Sequence, residues 1–429
     1  MKAFTDLNQA EMQERLTAAK EQYAQFAAKG LKLNMARGKP SPQQLDLSMP
    51  LLDTVTTETA AGLLHEGAAD DLRNYGGLIG LADARAVMAE IMDVDTADVV
   101  MGGNSSLNLM YDMVAQGMTL GFAGQTPWSQ LDQTATFLCP VPGYDRHFAL
   151  TEGFGIKMIP IPMTNAGPDM DLVEQHVNND ASVRGMWCVP KYSNPTGATY
   201  SADTVARMAA LKPTAADFRI FWDNAYAAHD LSTDADTLAS IKDACAAAGS
   251  DDLWIMFAST SKITLAGAGI AALAASPGNL AEIKARLNLQ TIGPDKINQL
   301  RHVRFLEQCG GVRPLMQQHA AILAPKFETV LRGLDAGLAG TDIGNWTRPN
   351  GGYFISFDGL PNTAKRTIAL AKEAGMMLTE AGATYPYGKD PADSNIRIAP
   401  SYPSVAELEE ATQLLVICVK IASLEALLG

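Results

Sequence analysis

Four short apolar runs in this chain each stop at a cluster of small, polar or charged residues. Val99 to Met101 runs into Gly102-Gly103-Asn104-Ser105-Ser106. Met186 to Val189 is followed by Ser193-Asn194-Pro195-Thr196-Gly197. Ile220 to Trp222 ends at Asp223, and Trp254 to Phe257 ends at Ser259-Thr260-Ser261-Lys262. Each run has the length of a buried strand, and turn-forming residues close it. Across residues 50–295 such strands alternate with helix-spaced segments. That alternation implies a largely parallel sheet covered on both faces, an α/β fold. In open sheets of this kind, ligands bind off the carboxyl ends of the strands, where these four clusters fall.

The clusters carry distinct chemistry. A lysine just past a buried strand is costly to desolvate, and desolvation lowers its pKa and makes the amine a Schiff-base nucleophile. The hydroxyls before Lys262 suit a phosphate. Asp223, buried at a strand end, needs a cation, and a pyridinium nitrogen is one that an aspartate commonly serves. Tyr226 adds a phenol three residues on. After Gly102-Gly103, the candidate caps Asn104, Ser105 and Ser106 precede Leu107, Met110 and Val114 at helical spacing. Such a glycine turn opening a helix leaves N–H groups pointing at an anion. It is neither a Walker loop nor a dinucleotide GxGxxG. Taken singly, each feature has a plain reading: a surface lysine, a strand-end turn, a loop, a helix cap.

Their joint order resembles the fold-type I pyridoxal-phosphate aminotransferases over roughly residues 30–425. A subgroup of aspartate aminotransferases also looks like this chain at MARGKPSPQQLDLS (35–48), RNYGG (73–77), PVPGYDRHF (140–148), WDNAYAAHDL (222–231) and QTIGPDKINQLRH (290–302). The resemblance implies a three-layer large domain, a smaller α/β domain, and pyridoxal 5′-phosphate as cofactor. It implies that Lys262 carries the cofactor covalently and shuttles a proton, that Asp223 pairs with the ring nitrogen, and that Asn194 and Tyr226 bond the phenolate oxygen. Ser105, Ser106, Ser259 and Ser261 would hold the phosphate, and Tyr144 would stack on the ring. Tyr75 would reach the phosphate of a partner subunit in a homodimer with shared sites. Arg397 would clamp the substrate α-carboxylate with Asn194 assisting, since a planar fork suits a carboxylate. The implied reaction is transamination between an L-amino acid, aspartate as first choice, and 2-oxoglutarate.

Two departures stand out. Many members of the wider family place an arginine eight residues after the lysine, against the phosphate; here that position is Ile270. A family arginine for a second substrate carboxylate falls near Lys296, with Arg37 and Lys39 as other candidates. The same fold also hosts alanine and aromatic aminotransferases, β-decarboxylases and C–S lyases. Aminotransferase-like transcription regulators need a basic domain ahead of the core, for which the residues before position 40 are too few.

A chain of 429 residues exceeds the usual single core, so more than one domain is expected. The expected division is an N-terminal segment over 1–48, a large cofactor domain over 49–300 and a small domain over 301–429. A net charge of −14 argues against nonspecific nucleic-acid or anionic-membrane binding. Five scattered cysteines and the absence of C-x-x-C or H-E-x-x-H give no reason to expect a disulfide framework or a metal site, and suggest a reducing, cytoplasmic setting. No signal peptide is expected, because the first residues include acids and no apolar core run, nor a membrane span, because no uninterrupted apolar stretch reaches about 18 residues and the most apolar tract, 263–275, is short and broken by glycine. Helices are expected over 5–29, from near Ser201, through much of 296–335, and over 362–375 and 405–427, with strands at 351–360 and before Pro400.

Overall fold

A computed structural model describes residues 3–58 and 71–429. The chain opens with helix α1 (Gln9–Ala27), strand β1 (Leu33–Asn34) and helix α2 (Pro42–Asp46). The larger unit then runs α3 (Ala82–Met92), β2 (Val99–Met101), α4 (Ser106–Thr119), β3 (Thr136–Val141), α5 (Asp145–Gly153), β4 (Lys157–Thr164), β5 (Gly167–Pro168) and α6 (Met170–Asn179). It continues with β6 (Val183–Cys188), α7 (Ala202–Ala209), β7 (Arg219–Asp223), α8 (Ile241–Ala248), β8 (Trp254–Ser259), β9 (Ala271–Ala275), α9 (Pro277–Gln290) and α10 (Lys296–Gln308). Helix α11 (Val312–Leu338) leads to β10 (Gly344–Trp346), β11 (Ile355–Gly359), α12 (Ala364–Glu373), β12 (Met376–Met377), β13 (Asn395–Ile398) and α13 (Val405–Leu428).

Eight strands form one sheet in the order β2-β9-β8-β7-β6-β3-β4-β5. The central pairs β8-β7, β7-β6, β6-β3 and β3-β4 are parallel. β9 is antiparallel to both its neighbours, because the short turn after Lys262 brings the chain straight back. The sheet is buried on both faces by strict alternation. Met186, Ile220, Trp222, Trp254 and Met256 face one core, while Trp187, Phe221, Ile255 and Phe257 face the other. Asp223, next after Trp222, therefore falls on the face of Phe221 and Trp187.

The smaller unit is an antiparallel sheet β10-β11-β13 covered by α12, α13 and the second half of α11. Phe4, Leu16, Leu33 and Met35 of the N-terminal segment share its core with Val330, Ile355, Ile398 and Leu414. β1 pairs in parallel with β12. The expected boundary at 300 falls inside α10, whose Val303, Phe305 and Leu306 belong to the large core. The passage from core to core lies within α11, where Leu315 and Met316 sit in the first and Phe327, Val330 and Leu334 in the second.

α13 corrects the expectation that no segment is long and apolar enough to span a membrane. Its mean hydropathy reaches 1.8 over a window that is 67% buried inside the protein. A helix apolar on all sides is one that is enclosed, here by α1, α11 and α12. Truncating a side chain such as Leu414, which has 0% exposure, to alanine should cost roughly 2–5 kcal/mol.

Candidate active site

The four polar clusters converge at the carboxyl ends of β2, β6, β7 and β8. Gly102 must be glycine for the first loop to close. A Cβ there would lie 2.5 Å from Leu109 Cδ2, and its N–H donates to Ala271 O at 2.8 Å. That contact sets residues 104–106 against the lysine-bearing turn. Ser259 Oγ donates to Ser261 Oγ at 3.0 Å, and Ser261 Oγ to Asn104 O at 3.5 Å. Ser105 occupies the N-cap of α4 yet makes no side-chain cap bond, so its hydroxyl is not engaged with the helix. Thr260 differs from its neighbours. It is fully buried, and its Oγ1 accepts from Ile270 N at 3.0 Å, so it braces the turn. Ile270 is itself 2% exposed in the apolar core. No charge stands where the wider family has an arginine, and hydroxyls, backbone N–H groups and the start of α4 make up the cup.

Asp223 is buried, and His147 Nε2 donates to its Oδ2 at 3.0 Å. The His147 ring stacks on Trp187 at 4.3 Å and 12°. Asp223 Oδ1 is buried with no protein partner. A buried carboxylate oxygen left unpaired is strongly unfavourable, so this atom marks where a ring N–H donor fits. Tyr144 sits edge-on to His147 at 4.9 Å. Burial first, then the charges of Asp223 and Asp145, pushes its phenol up to about 12. The Tyr226 phenol is likewise held well above its usual range, chiefly by burial. Lys262 Nζ stands 5.0 Å over the Tyr226 ring. Desolvation holds its ammonium below the usual range, partly offset by the negative charge of Asp223. These groups fit pyridoxal phosphate: an acceptor for its ring nitrogen, an amine for its carbonyl carbon, and a hydroxyl cup for its phosphate.

Arg397, on β13, comes from the smaller unit. Its Nη1 donates to Asp145 Oδ1 at 2.7 Å and to Asn194 Oδ1 at 3.3 Å, and Nη2 to Thr379 Oγ1 at 3.3 Å. Nε is buried and unpartnered. The guanidinium lies 4.9 Å over Phe354, and Phe354 in turn presses on Gly38, where a Cβ would lie 2.4 Å from Cζ. This contact ties the ARGKP segment to the arginine. Thr379 Oγ1 also donates to Ala36 O, placing the exposed Arg37 beside it. Lys39 lies 4.0 Å over Tyr402 instead.

Tyr75 and Lys296 lie together at the start of α10, where the Asn298 side chain donates to Ala268 O and Gly269 O of the loop after Lys262. Tyr75 is 79% exposed, and Lys296 Nζ donates to its carbonyl at 3.4 Å. Among the described residues, neither side chain hydrogen-bonds or ion-pairs with Lys262, Asp223 or Arg397 of its own chain. A cavity of about 990 Å³ lined by Trp222, Met256, Leu238 and Met316 opens on the sheet face opposite Asp223. It holds none of these groups, so volume does not locate the site.

Sequence reading missed His147, Asp145, Thr379 and Phe354. His147 carried a signal: it follows Tyr144 by three residues at the start of a helix, which puts both on one face. Thr379 and Phe354 carried none, since only the tertiary fold brings them to Arg397.

A carboxylate awaiting a ring donor, a desolvated lysine and a clamped arginine on this three-layer fold define a pyridoxal-phosphate-dependent transaminase of fold type I. Residues 7–429 match the family described as aspartate amino-transferase. The chain is 45% identical over 407 residues to an aspartate aminotransferase of Corynebacterium glutamicum, covering 95% of this chain and 93% of that one. The crystal structure of an aspartate transaminase from that species matches at a TM-score of 0.93 and 43% identity over 99% of both chains. An α-aminoadipate aminotransferase of Thermus thermophilus, crystallised with N-(5′-phosphopyridoxyl)-L-leucine, shares the fold at 20% identity and a TM-score of 0.72, covering 94% of this chain and 95% of that one. The chain belongs to the aspartate amino-transferase family.

Proposed function

We propose that this transaminase exchanges the amino group of aspartate with 2-oxoglutarate. The observation that carries the reading is the pairing of Lys262 and Asp223 on one unit with Arg397 on the other. Pyridoxal phosphate, when bound, supplies an electron sink for the charge that develops at the substrate Cα. The chain does the rest. Asp223, oriented by His147, would keep a proton on the ring nitrogen through Oδ1. The Lys262 amine would hold the cofactor and move a proton at the substrate Cα. Asn194 and Tyr226 would bond the phenolate oxygen, Tyr144 would stack on the ring, and Ser105, Ser106, Ser259 and Ser261 would hold the phosphate. Arg397 orients the α-carboxylate.

A dicarboxylate needs a second cation. Arg37 is our first choice, because Ala36 is tied to Thr379 and Thr379 to Arg397, and its side chain is exposed. Lys296 is second, reaching the site of a second copy together with Tyr75. A dimer of this kind is supported by exposed apolar residues on that face: Tyr75 at 79%, Leu289 at 81% and Ile292 at 62%. The turn Gly293 packs on Gly76, so Tyr75 and Ile292 are neighbours. The test is kcat/KM for aspartate and for alanine as amino donors in Arg37→Ala and Lys296→Ala. Replacing the right residue should lower the aspartate value at least about tenfold relative to alanine, the scale of one lost charge-assisted contact. If neither variant changes that ratio, the dicarboxylate assignment fails.

A further inference from the structure

Three of the chain's six histidines converge on three consecutive residues of the lysine-bearing turn. His229, just after β7, donates from Nε2 to Lys262 O at 3.3 Å. His319, on α11, donates from Nε2 to Ile263 O at 3.0 Å. His302, on α10, has its Nε2 at 2.9 Å from Thr264 Oγ1. All three are buried, at 2%, 1% and 0% exposure. Each ring is oriented by other contacts. His302 Nδ1 donates to Asn298 O at 2.8 Å. His319 Nδ1 accepts from Gln44 Nε2 at 3.1 Å, and that amide also donates to Tyr353 Oη at 2.9 Å. His229 sits edge-on between Tyr226 and Tyr353, each at 5.6 Å.

The His229 contacts close a loop. The ring that fixes the Lys262 carbonyl also fixes the Tyr226 ring, and the Lys262 amine stands over that same Tyr226 ring. Backbone and amine of one residue are thus referred to one imidazole. A long lysine side chain has much rotamer freedom, and a catalytic amine needs its reacting atom held to a fraction of an ångström. Fixing the root of the chain and the wall beside its tip removes most of that freedom.

We propose that His229, His302 and His319 are positioning residues that clamp the turn 260–264, with His229 setting where the Lys262 amine stands. The proposal rests on the reading of Lys262 as the cofactor-bearing residue. None of the three histidines touches the reacting atoms; they act through the turn. Burial favours their neutral forms. His229 is pushed down to about 3, by desolvation first and then by Lys262, and His319 to about 4 by desolvation. The neutral form is required at His319, where Nε2 donates to Ile263 O while Nδ1 accepts from Gln44 Nε2.

The test compares wild type, His229→Phe and His229→Gln as purified holoenzymes. Phenylalanine keeps the aromatic packing and loses the donor; glutamine places an amide N–H near the position of Nε2. Two readings other than turnover are taken: amide hydrogen exchange over residues 260–266 by mass spectrometry, and the pH midpoint of the cofactor's visible absorbance in the resting enzyme. In His229→Phe, exchange in that segment should rise about tenfold, the scale of one lost buried hydrogen bond. The absorbance midpoint should move by about half a pH unit or more, because the amine is no longer held in its environment. His229→Gln should return both toward wild type. Unchanged exchange and midpoint in His229→Phe overturn the proposal. So does a fall in melting temperature with the midpoint unmoved, the mark of a merely structural contact. If His229→Phe does not fold, Thr264→Val takes its place, removing the oxygen that His302 binds; unaltered exchange at 262–266 overturns the clamp. Borohydride reduction with peptide mapping separates the two levels. A label away from Lys262 sinks the functional reading, whereas a label on Lys262 with unchanged exchange sinks the clamp alone.

Discussion

Asp145 holds Arg397 by one nitrogen and leaves a bonding edge open. Nη1 is taken by Asp145 and Asn194, whereas Nε has no partner and Nη2 has one neutral hydroxyl. The Nε–Nη2 edge of a guanidinium is where a carboxylate docks in bidentate fashion. Arg397→Lys keeps the charge and loses that edge. Its kcat/KM should fall by a factor corresponding to about 2–4 kcal/mol, and steady-state kinetics with aspartate would show the loss mainly in KM. Unaltered kinetics would place the α-carboxylate elsewhere. Arg397 was legible in the sequence only through motif order, as an arginine ahead of a proline late in the chain. Asp145 was not, because it reads as an ordinary helix-start acid and its partner lies 252 residues away.

The strands were legible because their residues are apolar on both faces and their ends are punctuated. Trp254–Ser259 and Arg219–Asp223 fall where the apolar runs fall. The helix expected from Ser201 begins at Ala202, with Ser201 accepting from Thr204 N. The helix expected over 296–335 is two helices, broken where Gly310 and Gly311 take φ of +78° and +107°. What sequence could not show is how separate elements meet. His229, His302 and His319 come from three elements and have no common spacing, so nothing announces that they share a target. Their burial has a consequence for pH. Each has a folded pKa below its ordinary value, so the unfolded chain binds their protons first. Stability is therefore complete above about pH 6.5 and declines as pH falls toward the depressed folded values. The groups around His229 are Lys262, Lys191 and His319, all disfavouring its protonation, with Tyr226 and Tyr353 uncharged beside it. Between pH 7 and 5, His229 and His319 should each account for about 2 kcal/mol of lost stability. Denaturant unfolding at the two pH values should show His229→Gln losing less than wild type by about that amount. An identical loss in both would mean that the native state accepts the proton at His229.

On the scale of the whole molecule, the chain builds two units and sets the site between them. Lys262, Asp223 and the hydroxyl cup belong to the large sheet, and Arg397 and the ARGKP segment to the small one. Composition could fix that more than one core was needed, but not that α11 would join both. Nor could it show that Lys296 would bond the carbonyl of a Tyr75 that stays exposed on its own chain. That placement leads to a test of sharing. Tyr75→Ala and Lys262→Ala, each of low activity alone, should regain activity when mixed and allowed to exchange subunits, since a mixed dimer holds one intact site. No recovery, or a monomer by sedimentation, would confine the site to one chain.

Helix α11 has a mechanical meaning. It runs unbroken for 27 residues with a proline, Pro325, inside it, between the half anchored beside the large sheet and the half anchored in the small one. Proline lacks the N–H that would tie it to the preceding turn, so a helix bends most readily there. His319, which grips the lysine-bearing turn, lies on one side of that weak point; Phe327 and Val330, which carry the small sheet, lie on the other. One helix thus spans both units, and its least-tied turn falls between the contact to the lysine-bearing turn and the contacts to the small sheet. Arg397 is tied across the same divide, from β13 to Asp145 and Asn194 of the large unit, so the spacing between carboxylate grip and reacting amine is held at two places rather than one.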